Sequence, residues 1–305
     1  MGEPWRQRFA DYLITRGFAA RSIEAYGRSV QGFLDFLNQR GLLQMANLTR
    51  TLLEEYRLQL FSQKTRQGTP LSLKTQALHL TAVRRFVKYL YRHDYLLVDV
   101  GQDLEMPRVP RTLPRNLLSE RQTIGLLESP DVSTVLGLRD RAILELLYAT
   151  GLRNQECAAL LLEHLEEPNQ CLRVVKGKGG KDRVVPLGDE AEIWIQEYLQ
   201  KARPKLLRRA GERHVFLSSR GKPIGRGAMT ALVSRWAKKA GLPHATPHLL
   251  RHCVATHMLK RGANLRHLQA FLGHTCISTT ERYTQVEVSD LSKVVRRCHP
   301  RERFS

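Results

Sequence analysis

The chain of 305 residues is poor in cysteine, in aromatic residues and in acids. Its five cysteines, Cys157, Cys171, Cys253, Cys276 and Cys298, are odd in number and never spaced C-x-x-C. That argues against a disulfide framework and against a zinc site, and it predicts reduced thiols in a cytoplasmic protein that holds no metal. Long apolar runs are missing as well. The stretch from Ala158 to Leu162 is only a handful of residues, far short of the roughly 20 that a membrane helix needs. The opening MGEPWRQRF has no apolar core of the secretory kind. Scarcity of acid is the most telling lack: 29 Asp and Glu face 49 Lys and Arg, a net charge of +20. Such an excess repels itself in a compact fold and points to a polyanionic partner, nucleic acid before an anionic membrane surface. Both parts are basic, with 15 Lys/Arg against 10 acids up to residue 106 and 34 against 19 beyond.

The length suggests two domains. Residues 1–106 read as helical. From Ser22 to Leu37, apolar residues recur at helical spacing (Ile23, Tyr26, Val30, Phe33, Leu34, Leu37), with Ser22 as N-cap and Gly41 as stop. Leu48 to Leu60 is a second candidate, and Leu78, Val83, Phe86, Val87, Leu90 and Tyr91 mark a long helix ending near His93. Lys74, Arg84, Arg85 and Lys88, at polar positions of this helical part, are candidate phosphate contacts. Residues 107–116, PRVPRTLPRN, hold three prolines and three arginines without periodicity and read as an extended linker. Residues 117–305 form the second domain. Ser119-x-x-Gln122 reads as a capping box, and Gly137 to Ala149 as an apolar helix. Two β-like runs, Cys171 to Val175 and Arg183 to Leu187, flank the Gly-rich KGKGGKD and predict a hairpin. The fold class expected is therefore mainly α with a small antiparallel β-sheet.

Several residues carry chemistry. His248 and Arg251 stand at i,i+3 on a predicted helix and share a side. A histidine beside an arginine is electrostatically awkward unless an anion lies between them. Arg153 follows an apolar helix at a Gly-Leu turn, with Glu156 three residues on as a partner. Lys178 sits at the tip of the Gly-rich hairpin, which lacks the G-x-x-x-x-G-K-[ST] pattern and is no P-loop. Gly273-His274 opens a segment in which Tyr283 lies nine residues later. Two arginines, a lysine and two histidines can cradle a phosphate and move protons. The tyrosine can supply an oxygen nucleophile.

The ordered set ATGLRNQE (149–156), GKGGKDR (177–183), HLLRH (248–252), LGH (272–274) and STTERY (278–283) closely resembles the tyrosine recombinase (phage integrase) family, along nearly the whole chain. The resemblance implies a helical SAM-like core-binding domain over 1–106 and a mixed α/β catalytic domain over 117–305, the two forming a clamp around DNA. It implies Arg153, Lys178, His248, Arg251 and His274 as activating residues, Tyr283 as nucleophile and Glu156 as a supporting carboxylate. Lys181 and Arg183 join the candidate DNA contacts. It implies no cofactor, double-stranded DNA as substrate, and a homo-tetramer on two DNA sites, with or without a second recombinase. The expected location is cytoplasmic, at the nucleoid.

The compact layout, with core-binding helices at once and an interval of 70 positions from Lys178 to His248, is most similar to Xer-type recombinases or to small recombinases of mobile elements. It leaves no room for an arm-binding domain. The basic tail VVRRCHPRERFS departs from the Xer pattern. Val286, Val288, Leu291, Val294 and Val295 form an apolar stripe, either capping their own domain or donated to a neighbouring protomer. Two rivals are a non-catalytic DNA-binding or architectural protein and a type IB topoisomerase. The first needs no catalytic set, and the second would act alone on generic supercoils.

Overall fold

Amphipathic helices shape the first part of the chain and one buried helix organises the second. The computed structural model describes residues 2–65, 67–110, 117–166, 170–175, 182–242, 245–273 and 288–301. The chain divides into two compact units, Met1–Leu113 and Pro114–Ser305.

The first unit holds α1 (Gly2–Thr15), α2 (Ala20–Gln39), α3 (Arg50–Ser62) and α4 (Leu73–Arg92). Its core packs Phe9 and Leu13 of α1, Val30, Phe33 and Leu37 of α2, Leu53 of α3, and Val83, Phe86 and Leu90 of α4. Thr49 and Ser72 cap α3 and α4 by accepting from the backbone N–H groups of Leu52 and Thr75. The expected Ser22 cap is not used: α2 starts two residues before it, and Ala19 precedes the helix without a side-chain bond. Leu78 and Tyr91 also depart from expectation. They are 49% and 43% exposed, because they flank rather than occupy the stripe set by Val83, Phe86 and Leu90.

The second unit runs through α5 (Glu120–Glu128), α6 (Val135–Thr150), α7 (Asn154–Ala158), β1 (Leu165–Glu166), β2 (Cys171–Val174), β3 (Arg183–Pro186), α8 (Asp189–Glu197), α9 (Arg203–Leu206), α10 (Arg226–Lys239), α11 (Pro247–Lys260), α12 (Leu265–Leu272) and α13 (Val288–Cys298). The sheet is antiparallel in the order β1-β2-β3, with Val174 opposite Arg183. The Ser119/Gln122 capping box forms at α5 as its spacing predicts. Every residue of α6 from Gly137 to Thr150 is buried. Its apolar residues build the core with α8 and α11, yet four charged residues are buried with them. Each has partners. Arg139 holds Asp140 and the Leu217 carbonyl, Asp140 also accepts from Arg235 and the Trp236 indole, and Glu145 takes Arg141 and Arg301. Unpaired, such groups would cost several kcal/mol each.

Of the predicted tail stripe, Val294 and Val295 pack on the core of their own unit, joined by Cys298. His299 follows them into a buried position and Arg301 into a half-buried one against α6. The side chains of Val286, Val288 and Leu291 lie outside the described residues.

Candidate active site

The helix α6 ends at Gly151, whose φ of +58° serves as a left-handed C-cap. The chain then turns through Leu152 and Arg153 into the short α7. There Glu156 reaches back and accepts the Arg153 backbone N–H at 2.9 Å and its Nη1 at 2.7 Å. The sequence predicts this pair, and the structure adds a second claimant. Arg183, the first residue of β3, donates to both Glu156 oxygens at 3.0 and 2.7 Å. Arg183 is expected as a DNA contact, but its guanidinium lies on Glu156 and is 13% exposed. Strand alternation explains this, because Arg183 shares a face with the fully buried Val185. A charged residue in an inward register was the signal available in the sequence.

Arg251 enters from α11. Thr246 caps this helix by accepting from the Leu249 N–H, and Pro247 starts it. The Arg251 guanidinium is buried and donates to the carbonyls of Gly151 and Leu272. Arg153 Nη2 donates to the next carbonyl, that of Gly273, at 3.1 Å. Gly273 ends α12 at φ +64°. Two left-handed glycine caps thus aim their carbonyls or neighbouring carbonyls at two arginines.

Two guanidinium groups therefore hold one carboxylate, and a third, that of Arg251, lies within reach of their charges. Burial raises the Glu156 carboxyl, but hydrogen bonds from Arg183 and Arg153 outweigh it and hold the group down at about 2. The opposite strain appears at Arg251. Burial, then the charges of Arg153 and Arg183, pull its pKa down to about 10 against the support of Glu156. The cluster carries more positive charge than its carboxylate neutralises, as a pocket for an anion should.

His248 sits one turn before Arg251 on α11 and is exposed. Its Nε2 lies 3.0 Å from Nε2 of His252, the rings meeting edge to face at 4.3 Å. Only one of the two nitrogens can carry the shared proton. His252 is part of the HLLRH motif but is given no role by the sequence. Asn154 Nδ2 ties α7 to α10 through Thr230 Oγ1 at 2.7 Å. Lys178, Lys181, His274 and Tyr283 lie outside the described residues.

On α4, Lys74, Arg84, Arg85 and Lys88 are all exposed. Arg85 is also engaged, its guanidinium 4.8 Å from the Phe18 ring centroid and 5.6 Å from that of Tyr26. Among the described residues no group of three or more His, Cys, Asp or Glu is placed to hold a metal ion. Nor is any helix there long and apolar enough to cross a membrane.

The phage integrase family model matches residues 117–289, and the model of the phage integrase N-terminal SAM-like domain matches 7–94. Tyrosine recombinase XerC 2 of Ralstonia nicotianae is 40% identical over 94% of this chain and 83% of its own length. Tyrosine recombinase XerD of Staphylococcus aureus is 36% identical over 94% of this chain and 95% of its own. Among solved structures, a lambda integrase tetramer bound to a Holliday junction superposes with a TM-score of 0.67 at 16% identity. That match covers 93% of this chain and 80% of the lambda chain, and it is a likeness of fold.

Proposed function

The chain belongs to the phage integrase family and is a Xer-type tyrosine recombinase, a site-specific enzyme that cuts and rejoins DNA strands, and we propose that Arg153 and Arg251 hold its scissile phosphate while Tyr283 attacks it. The observation that supports this reading is the pairing of Arg153 and Arg183 with the single carboxylate of Glu156, beside a buried Arg251 that feels the charge of all three and is held by the carbonyls of Gly151 and Leu272. An anionic phosphate between Arg153 and Arg251 relieves their mutual repulsion. Planar guanidinium forks match its non-bridging oxygens.

In the proposed cleavage, the Tyr283 hydroxyl oxygen forms a bond to phosphorus as the bond to the 5′-oxygen breaks. His248 takes the tyrosine proton, and Lys178 gives a proton to the departing 5′-oxygen. His274 donates to a phosphate oxygen. The products are a 3′-phosphotyrosyl ester and a free 5′-hydroxyl. The ester conserves the phosphodiester linkage, so a 5′-hydroxyl from a partner strand reverses the step without a nucleotide. Exposure of His248 at the start of α11 suits proton exchange, and its Nε2 lies in hydrogen-bond contact with Nε2 of His252.

Double-stranded DNA is the substrate, met by both basic units. Lys74, Arg84, Arg85 and Lys88 of α4 serve as phosphate contacts in the first unit, and Lys181 in the second. A homo-tetramer on two sites is the working assembly, and the protein works at the nucleoid in the cytoplasm. Val294, Val295, Cys298 and His299 pack on their own unit, so removing residues 286–305 should lower the melting temperature, and a truncated protein as stable as the full chain would show that the tail is not a cap in solution.

The clamp is tested by Arg251→Ala. Removing a donor aimed at transition-state charge typically costs about 10²–10³ in rate. Binding of a duplex selected from a randomised library should persist while cleavage falls by that factor. Normal cleavage by Arg251→Ala would refute the clamp.

A further inference from the structure

Arg183 opens β3 directly after the Gly/Lys-rich segment that contains Lys178. Both of its terminal nitrogens are on Glu156. Its stem and guanidinium also cross Gly273. A Cβ built on that glycine would lie 2.7 Å from Arg183 Cδ, 2.9 Å from Nε and 3.1 Å from Cζ. Gly273 in turn offers its carbonyl to Arg153 and is followed in the chain by His274. Arg183 thus touches the carboxylate that holds Arg153 and the turn that orients it, without lying on the exposed surface.

We propose that Arg183 is a positioning residue for strand cleavage: it divides the charge of Glu156, so that Arg153 keeps positive charge for the scissile phosphate. The inference rests on the reading that Arg153 and Arg251 hold that phosphate. With Glu156 facing Arg153 alone, the pair would be neutral, and the carboxylate would repel the phosphate at short range in a partly buried site. With Arg183 present, one negative charge is shared between two guanidiniums, and the surplus stays near the reacting group. Lying across Gly273, Arg183 also fixes the carbonyl that aims Arg153.

The test is rescue by removing the charge that Arg183 divides. Arg183→Met keeps the stem over Gly273 and deletes its charge. Single-turnover formation of the covalent protein–DNA adduct is measured at saturating duplex, the duplex being selected by binding from a randomised library. Arg183→Met should slow the adduct by up to about 100-fold, the scale of a small misplacement of a reacting group, with little change in DNA affinity, a melting curve showing that the variant is folded at the assay temperature. The double variant Arg183→Met/Glu156→Gln should be faster than Arg183→Met by roughly fivefold or more, since no carboxylate is left to neutralise Arg153. Should Arg183→Met not fold, Arg183→Gln carries the same expectation.

A double variant as slow as the single overturns the proposal. So does an Arg183→Met enzyme that cleaves like wild type, or one whose whole defect is weaker DNA binding with a smaller salt dependence, the sign of a direct phosphate contact. A wild-type protein that forms no adduct at all would overturn the reading of the site together with this inference.

Discussion

The imidazole of His299 is buried against Tyr148, their ring centroids 5.2 Å apart, and faces the Tyr148 carbonyl at 3.4 Å. Beyond it, Arg301 reaches Glu145 at 2.7 Å. The end of the chain is thereby fastened to α6, the helix at the centre of its own unit.

This contact makes stability pH-dependent. Burial first, then the charges of Arg301, Arg261 and His257, lower the His299 pKa from 6.5 to about 4, against the Tyr148 carbonyl acting to raise it. Between pH 6.5 and 4 the unfolded chain takes a proton at His299 that the folded chain refuses. The stability it supports is complete above pH 6.5 and is lost as pH falls to about 4, on the order of 3 kcal/mol in all. Thermal melts across that range should show a shallower acid loss for His299→Phe than for wild type. Identical pH profiles would mean that the tail is not packed on its own unit in solution.

Gly273 is required by both conformation and space. A left-handed non-glycine residue costs roughly 1–2 kcal/mol, and an added Cβ meets Arg183 at 2.7 Å. Gly273→Ala should lose at least that much stability by denaturant unfolding and should also slow cleavage. An unchanged midpoint would show that the turn and Arg183 can both shift freely.

Much of this was legible in the sequence, for identifiable reasons. The Ser119/Gln122 capping box, the α4 stripe and the β2–β3 pairing are local patterns, and local patterns survive into the fold. The motif brought Arg153 and Glu156 together, whereas His248 and Arg251, expected to share a side, differ on α11: His248 is exposed beside His252 and Arg251 is buried. What was hidden depended on distant partners. The helix α6 reads as apolar, and the burial of its charged residues shows only with partners such as Arg235, Trp236 and Arg301, 95 or more residues away. The pairing of Arg183 with Glu156 is likewise hidden in the sequence, because it joins residues 27 positions apart through strand register. Ser22 has the right chemistry for a cap, but the helix starts two residues earlier.

DNA affinity should fall steeply with salt. Each phosphate neutralised by a lysine or arginine contributes a slope near −0.9 in log affinity against log salt. A titration from low to physiological salt should give a slope corresponding to several contacts. A nearly flat response would contradict phosphate binding by the two basic units.

Lys178 is assigned as the acid for the departing 5′-oxygen, and sulfur tests that assignment. An alkoxide is a poor leaving group, comparable to hydroxide with its water pKa of about 15.7, whereas a thiol pKa is about 8.5. Lys178→Ala should lose roughly 10²–10⁴ in cleavage of the natural strand. It should cleave nearly as fast as wild type when the bridging 5′-oxygen is replaced by sulfur. Arg153→Ala and Arg251→Ala should not be rescued. Rescue of Lys181→Ala instead would move the acid to that residue.

The most direct test of the whole account is covalent capture. A nicked duplex bearing the selected site is incubated with wild type and with Tyr283→Phe, and the products are resolved on a denaturing gel. Wild type should yield a protein–DNA adduct attached through the strand's 3′ end. Tyr283→Phe should bind the duplex with unchanged affinity and yield none, because only the attacking oxygen is gone. An adduct formed by Tyr283→Phe would contradict the assignment of the nucleophile and the mechanism built on it.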